Sequence, residues 1–139
     1  MDISTVSQVY SKLSKDNLNS LSDIYHQEVI FEDSAHTING WSNLQRYFEN
    51  LYLNVNSCDF EIHSEHQSDA CGFLVWTMHL SHPKLKGGKS VAVQGVSHIK
   101  FAEGKVIHHR DYFDMGEMLY ENLPVLGSVI RTIKQRLGQ

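Results

Sequence analysis

The residues best suited to do chemistry lie near the end of the last predicted strand of the chain, 105–114. Alternate residues of a strand face the same side, so Ile107, His109, Asp111 and Phe113 share one face. A carboxylate among apolar side chains is costly unless it is paired or used. Asp111 is therefore predicted to line a core or a pocket, where a carboxyl group can serve as a general acid or base.

The alternation of side chains along neighbouring strands predicts which residues share a surface with Asp111. Three strands contribute to it, with Val75, Thr77 and His79, then Gly95, Ser97 and Ile99, and finally His109, Asp111 and Phe113. If His79 lies beside Asp111, the two form a carboxylate and imidazole dyad that works near neutral pH. The dyad would remove a proton from a carbon beside a carbonyl, while Tyr10 or Ser97 donates to the oxyanion. A buried, hydrogen-bonded structural histidine is the alternative for His79.

These residues need elements that position them, and apolar spacing predicts helices in the first half of the chain. Three helices are expected, at 6–13, at 18–25 with Asp16 as the cap, and at 44–51 after a turn at Asn39 and Gly40. A short extended segment at 29–33 precedes the third helix.

The second half of the chain is predicted to form strands followed by a helical tail. Strands are expected at 58–66, 71–81 and 90–101, and the turn at 102–104 leads into the strand of Asp111, which gives an antiparallel meander. The tail has apolar and basic residues at helical spacing in 115–121 and 125–136. The predicted fold is α+β, a cone-shaped, curved, mostly antiparallel sheet wrapped around N-terminal helices, with a C-terminal amphipathic helix.

Composition limits the classes of protein that this chain can represent. With 139 residues, 41% hydrophobic and 20% charged, it can bury one good core. The net charge of -4 and the scattered basic residues argue against a nucleic-acid partner. No run approaches the roughly 20 apolar residues of a membrane span, and the first 20 residues lack the apolar stretch of a signal peptide, so we expect a cytoplasmic protein without stable membrane insertion. Cys58 and Cys71 are expected to be reduced packing residues.

The nine histidines do not predict a metal site. His108 and His109 are adjacent in a strand and point to opposite faces, and so do His63 and His66. Because neither pair chelates easily and no carboxylate or cysteine stands at ligand spacing, we expect no metal and no cofactor.

Three segments carry a resemblance to a known family. They are the helix 8–13, the strand 29–33 with the turn at Asn39 and Gly40 behind it, and the sequence Glu103-Gly104-Lys105-Val106 that runs into 110–114. Residues 3–118 thereby resemble the nuclear transport factor 2-like superfamily, in particular its SnoaL-like polyketide cyclase, ketosteroid isomerase and limonene epoxide hydrolase branches. The resemblance indicates the fold strongly and the activity weakly, since one fold hosts many chemistries.

The ketosteroid isomerase branch implies roles for two residues of the first half. Tyr10 is similar to the tyrosine that donates a hydrogen bond to the substrate oxygen, and Asp33 stands where that branch has its proton-shuttling aspartate. The protonated aspartate that completes its oxyanion hole aligns with Ser97, which can still donate. From the residues alone, Tyr10 also suits a core tyrosine, and Asp33 also suits an Asx turn that binds its own backbone.

The other two branches bear on Asp111. It looks like the acid of the epoxide hydrolases, but the positions that align with the rest of their Asp-Arg-Asp triad hold His79 and Ser81, and their water-positioning tyrosine and asparagine align with Phe31 and Asp33. In SnoaL-like cyclases a single pocket aspartate does acid and base work on an enolisable polyketide, and Asp111 fits this simpler pattern.

We therefore predict a small-molecule-binding protein that acts, without a cofactor, as an isomerase, cyclase or hydratase on an apolar, oxygen-bearing substrate. The candidate catalytic residues are Asp111, Asp33, His79 and Tyr10. The candidate substrate-binding residues are Phe31, Trp41, Val75, Thr77, Ser97, His109 and Phe113. Residues 1–118 are expected to form the domain, and 119–139 a helical extension that packs on it or on a partner subunit.

The alternative is a non-catalytic ligand-binding or dimeric scaffold domain of the same fold. In that case the cone would be filled by large side chains such as Phe31, Trp41, Trp76 or Phe113. In either case we expect a homodimer through the outer sheet face, on which strand parity would place Trp76, Met78 and Leu80.

Overall fold

A curved six-stranded sheet organises the chain. The structure, a computed structural model, describes residues 1–138. The strands are β1 (Tyr25–Glu32), β2 (Thr37–Asn39), β3 (Ser57–Ser68), β4 (Cys71–Ser81), β5 (Val91–Ala102) and β6 (Lys105–Phe113). The α-helices are α1 (Ile3–Ser11), α2 (Trp41–Asn54), α3 (Met115–Met118) and α4 (Leu126–Leu137). Short 3-10 helices occupy Leu18–Asp23, Lys86–Gly88 and Tyr120–Asn122.

The strands lie in the order β2-β1-β6-β5-β4-β3. The last four form the predicted antiparallel meander, while β1 runs parallel to β6, with Phe31 opposite His109. This arrangement confirms the predicted α+β class and its curved sheet. Of the helices within residues 1–138, none is long and apolar enough to span a membrane.

The core lies between the helices and one face of the sheet, which we call the inner face. Val6 on α1, Leu44 on α2 and Ile99 on β5 are fully buried there. Both helices carry their apolar residues at helical spacing, so each buries one stripe against the sheet and leaves the other side to solvent. The Asp2 side chain caps α1 by accepting a hydrogen bond from the Thr5 backbone N–H.

The segment predicted as a second helix differs from the expectation. It is a 3-10 helix that ends at Asp23, and the chain is already in β1 at Tyr25. The apolar residues from Leu18 to Tyr25 suit either a helix or a turn into a strand, and pairing decides between them because the Val106 N–H donates to the Ile24 carbonyl, 2.7 Å away. As a result Tyr25 enters the core from a strand.

The facing of β4 is opposite to the prediction. Trp76 lies across from Gly95, and Trp76, Met78 and Leu80 face inward. A Cβ atom at Gly95 would collide with the indole ring of Trp76, so the glycine makes room for the tryptophan. The outer-face placement of Trp76, Met78 and Leu80 was therefore wrong, and it no longer supports a dimer.

Candidate active site

A cavity of about 390 Å³ lies between the inner face of the sheet and the helices. Its wall is mainly apolar and aromatic, with contributions from α1, α2, β1, β3, β4, β6 and the C-terminal helices. Phe31, Phe60, Trp76 and Phe113 belong to it, and Met115 and Met118 form part of its roof. A volume in the range of small-molecule sites, an apolar wall and a few polar groups are the features of a ligand pocket.

Asp111 is one of those few polar groups, and its two oxygens have different surroundings. Its Oδ1 accepts a hydrogen bond from the Ser97 hydroxyl at 2.5 Å and one from His109 Nε2 at 2.6 Å. Its Oδ2 accepts none from any group of residues 1–138, and the side chain is 16% exposed. One oxygen is thus fixed by the protein, and the other is left for a ligand.

The imidazole of His109 begins a chain of buried hydroxyl groups. His109 Nδ1 lies 2.7 Å from the Tyr25 hydroxyl, which lies 2.5 Å from the Tyr10 hydroxyl. An ionised Asp111 can only accept, so the proton of a neutral His109 sits on Nε2 and Nδ1 accepts from Tyr25. The Tyr25 oxygen then accepts from Tyr10. Every donor in this state points toward Asp111.

A second donor chain reaches Asp111 from β4. The indole N–H of Trp76 donates to the Ser97 hydroxyl at 2.8 Å, and that hydroxyl donates onward to Asp111 Oδ1. Ser97 and Asp111 are directly opposite on β5 and β6, so the sheet register itself sets their distance. Two chains of donors converge on one carboxylate oxygen and hold its orientation.

Burial keeps the hydroxyl and thiol groups near the cavity neutral. It raises the pKa of Tyr10 well above its ordinary value, with further contributions from neighbouring Tyr25 and Asp111. It raises the pKa of Tyr25 in the same way. Burial also raises the pKa of the Cys58 thiol to about 12, so this cavity-lining cysteine is not a thiolate nucleophile at neutral pH.

Asp33 lines the cavity but is occupied by its own turn. Its Oδ1 accepts from the backbone N–H groups of Ala35 and His36 at 2.8 and 2.7 Å, and His36 Nδ1 lies 3.1 Å away. This is the Asx turn that the sequence left open as the alternative. The Tyr47 hydroxyl is 3.5 Å from Oδ2. A ligand that reaches Asp33 therefore meets a carboxylate whose oxygens already have hydrogen-bond partners.

His79 does not approach Asp111, and the predicted dyad between them was wrong. The inverted facing of β4 places His79 on the outer face, where its Nε2 lies 3.1 Å from an exposed Glu61 carboxylate. Val75 and Thr77 share that outer face, and Thr77 is hydrogen-bonded to His63 at 2.7 Å. None of the three lines the cavity, and His109 provides the imidazole beside Asp111.

The remaining predicted binding residues divide into three groups. Phe31 and Phe113 line the cavity. Trp41 is buried outside it, with its ring stacked on Tyr25 at 5.8 Å, so its expected place in the wall was wrong. Ser97 and His109 lie behind Asp111 as supports and are absent from the wall itself.

Sequence reasoning missed several residues of the site. Tyr25 was assigned to a helix and Trp76 to the outer face, although both belong to the donor chains. Tyr47 was treated only as an apolar helix position, and the roof residues Met115 and Met118 only as part of a tail. The glycine at position 95, directly opposite Trp76, is the one signal in the sequence that could have corrected the facing of β4.

The comparisons with known proteins agree with this fold. A family model of the SnoaL-like domain matches residues 6–109, so the chain belongs to the SnoaL-like domain family. A comparison with curated protein sequences gives no significant match.

Solved structures of the same fold come from several proteins. A protein from Shewanella putrefaciens assigned as a SnoaL-like polyketide cyclase is 20% identical, with 83% of this chain and 90% of that chain covered and a TM-score of 0.69. A LEH-like epoxide hydrolase of M. tuberculosis is 18% identical, with 94% and 95% covered and a TM-score of 0.73. A protein from Catenulispora acidiphila with a ketosteroid isomerase-like fold, solved in complex with trimethylamine, is 13% identical, with 86% and 93% covered and a TM-score of 0.75. At these identities the likeness concerns the fold.

Proposed function

We propose that this protein is a cofactor-independent acid/base enzyme of the isomerase, cyclase or hydratase type that acts on an apolar, oxygen-bearing small molecule. The observation that carries the proposal is the hydrogen bonding of the two Asp111 oxygens. Its Oδ1 is held by Ser97 and His109, while its Oδ2 has no partner within residues 1–138 and the side chain lines an apolar cavity. A fixed carboxylate with one oxygen available in a mainly apolar cavity is suited to take a proton from a bound carbon acid.

In the proposed reaction Asp111 Oδ2 removes a proton from a carbon beside a carbonyl. The C–H bonding electrons move into the new C=C bond of the enolate, and the negative charge moves to the carbonyl oxygen. Asp111 then holds the proton and can return it to the same carbon or to another carbon of the conjugated system. Apolar walls such as those of Phe31 and Phe113 would place the substrate against this oxygen.

Tyr10 can serve the oxyanion only in one state of its hydrogen-bond chain. When His109 is neutral, the Tyr10 hydrogen points to Tyr25 and away from the cavity. When His109 carries a second proton on Nδ1, that proton points to Tyr25, the Tyr25 hydrogen to Tyr10, and the Tyr10 hydrogen to the cavity. The role expected for Tyr10 thus depends on a protonated imidazole two residues along the chain of contacts.

The experiment that tests the proposal needs no knowledge of the natural substrate. A panel of cyclic ketones and β-diketones is incubated with the protein in D₂O, and exchange of the α-hydrogens is followed by NMR. We expect the wild type to accelerate exchange for at least one compound and Asp111→Asn to lower that acceleration by about 100-fold or more. The matched control is Asp59→Asn, whose carboxylate is exposed on β3 outside the cavity.

Two results would contradict the acid/base proposal. The first is exchange no faster than buffer for the whole panel, and the second is an Asp111→Asn variant that keeps the wild-type rate. Either would favour the alternative of a non-catalytic ligand-binding domain. The scaffold version of that alternative expected a cone filled by large side chains, and the cavity of about 390 Å³ argues against it.

We also propose that the protein forms a homodimer through the outer sheet face, for a different reason from the one first expected. Ile30, Phe73 and Tyr112 are exposed on this face. A second subunit would cover these apolar side chains. Light scattering should give a dimer mass that Tyr112→Lys lowers, and a monomeric wild type would overturn the proposal.

A further inference from the structure

The cavity extends well beyond Asp111 toward the β4–β5 loop. Along β4 its wall continues from Trp76 through Met78 and Leu80 into the loop, where His82 and Lys84 complete it. At about 3.3 Å per residue, the path along the chain from Trp76 to His82 is about 20 Å. A ligand that fills the cavity therefore has one end near Asp111 and another near the loop.

The charges at the two ends are opposite. Lys84 is the one full cation among the cavity-lining side chains of residues 1–138, and within this range it takes part in no ion pair. His82 adds a donor, since its Nδ1 accepts the Lys84 backbone N–H at 3.0 Å and the proton of the neutral ring must sit on Nε2. One acidic lining residue is Asp111, which the sheet register places level with Leu74, toward the end of β4 away from the loop. The other is Asp33, whose carboxylate is already occupied by its own turn and by His36.

The loop that carries these donors is anchored. Leu85 is buried, its N–H donates to the His82 carbonyl at 3.0 Å, and its own carbonyl accepts from Gly88 at 2.9 Å. The Asn56 N–H also donates to the Ser81 carbonyl at 2.8 Å, which ties the start of the loop to the residue just before β3. A fixed loop presents Lys84 at a constant place on the rim of an apolar cavity.

We infer that the ligand of this cavity is an amphipathic anion, with an apolar body along β4 and a carboxylate or similar acidic group held by Lys84 and His82. The inference rests on the proposed function in so far as both require the cavity to bind a ligand. It goes further by naming the charge of the substrate and the residues that select it. An ammonium and an imidazole N–H provide charge-assisted hydrogen bonds to an anion, and the partly apolar surroundings of the rim strengthen them.

Three probes test the inference without the natural substrate. The neutral dye N-phenyl-1-naphthylamine reports occupation of the cavity by its fluorescence, and decanoate and 1-decanol compete with it as a matched anionic and neutral pair. We expect decanoate to bind about three- to tenfold more tightly than 1-decanol at low salt. The preference should shrink as sodium chloride is raised, because salt screens an interaction at an exposed rim.

Variants of the loop identify the residue responsible for the preference for decanoate. Lys84→Gln should remove the preference for decanoate and leave 1-decanol binding unchanged. Lys89→Gln, an exposed lysine of the same hairpin that does not line the cavity, should keep the preference.

The outcomes separate this inference from the proposed function. Equal binding of decanoate and 1-decanol to the wild type, or a preference that survives Lys84→Gln, overturns the inference alone. Failure of all three probes to bind overturns the inference and the proposed function together. A carboxylate preference in a protein whose Asp111→Asn variant exchanges α-hydrogens like the wild type supports the inference and overturns only the acid/base role.

Discussion

The substitution Tyr25→Phe tests the buried donor chain with the smallest possible change. Tyr25 is 1% exposed, and its hydroxyl contacts both Tyr10 and His109 Nδ1. Removal of that one oxygen leaves two buried polar groups without a partner. A buried group that loses its partner costs about 1–3 kcal/mol, so for the two groups together we expect the free energy of unfolding to fall by about 2–6 kcal/mol.

The chain offers a matched control in Tyr52→Phe. Tyr52 is 4% exposed, and its hydroxyl makes one hydrogen bond, to the Cys58 carbonyl at 3.1 Å. The same chemical change there removes one ordinary hydrogen bond, which is worth about 1 kcal/mol. Both variants are compared with the wild type by urea unfolding, followed through the fluorescence of Trp41 and Trp76 and extrapolated linearly to water.

A double substitution distinguishes the chain from a general packing effect. In Tyr10→Phe/Tyr25→Phe the Tyr10 hydroxyl is removed as well, so His109 Nδ1 is the one buried polar group left without a partner. The double variant should therefore lose about 1 kcal/mol less than the sum of the two single variants. The reasoning is refuted if Tyr25→Phe costs no more than Tyr52→Phe, or if the effects at Tyr10 and Tyr25 simply add.

Two further predictions concern the cavity wall. Gly95→Val should lower the free energy of unfolding by about 1–3 kcal/mol, because its side chain must displace the Trp76 indole, whereas Ala92→Val on the exposed side of β5 should change it little in the same urea assay. The Cys58 pKa of about 12 lies above the ordinary value of 9.0, so this neutral thiol stabilises the fold below pH 9 and the contribution disappears as pH rises from 9 toward 12. Urea midpoints should fall over this alkaline range, and Cys58→Ala should flatten the fall; an identical slope in both proteins would contradict the assignment.

The surface shared by the last two strands was predictable in part. Alternation predicted that Ser97, Ile99, His109, Asp111 and Phe113 face the same side, and Ser97 indeed lies directly opposite Asp111. Alternation did not predict the register shift between Lys100 and Phe101, and both Val106 and His109 are buried although they are three residues apart.

The facing of β4 could not be predicted in the same way. Its apolar residues occupy both sides, with Phe73 and Val75 on one and Trp76 and Leu80 on the other, so alternation alone does not choose. The choice depends on Gly95 of the next strand, which leaves room for the Trp76 ring. This is a tertiary fit, and a single strand does not contain it.

The hydrogen-bond chain through Tyr25 could not be predicted from the sequence, because it too depends on tertiary structure. The residues Leu18, Leu21, Ile24 and Tyr25 have helical spacing, yet the helix is a 3-10 segment that ends at Asp23. Parallel pairing of β1 with β6 brings Tyr25 across from Val106 and its hydroxyl to His109. A contact between residues 84 positions apart is set by the sheet order, which local patterns do not encode.

The roof of the cavity comes from the segment of the chain that follows the sheet. Met115, Met118, Leu119 and Leu123 belong to short helical turns after β6, and α4 is tied to this segment through Lys134, which contacts Asp114 and Glu121. The roof residues make none of the hydrogen bonds that hold Asp111, which come from Ser97 and His109 on β5 and β6. Substitutions at Met115, Met118, Leu119 or Leu123 can therefore change the size of the ligand that the cavity admits while the carboxylate and its two donors stay in place.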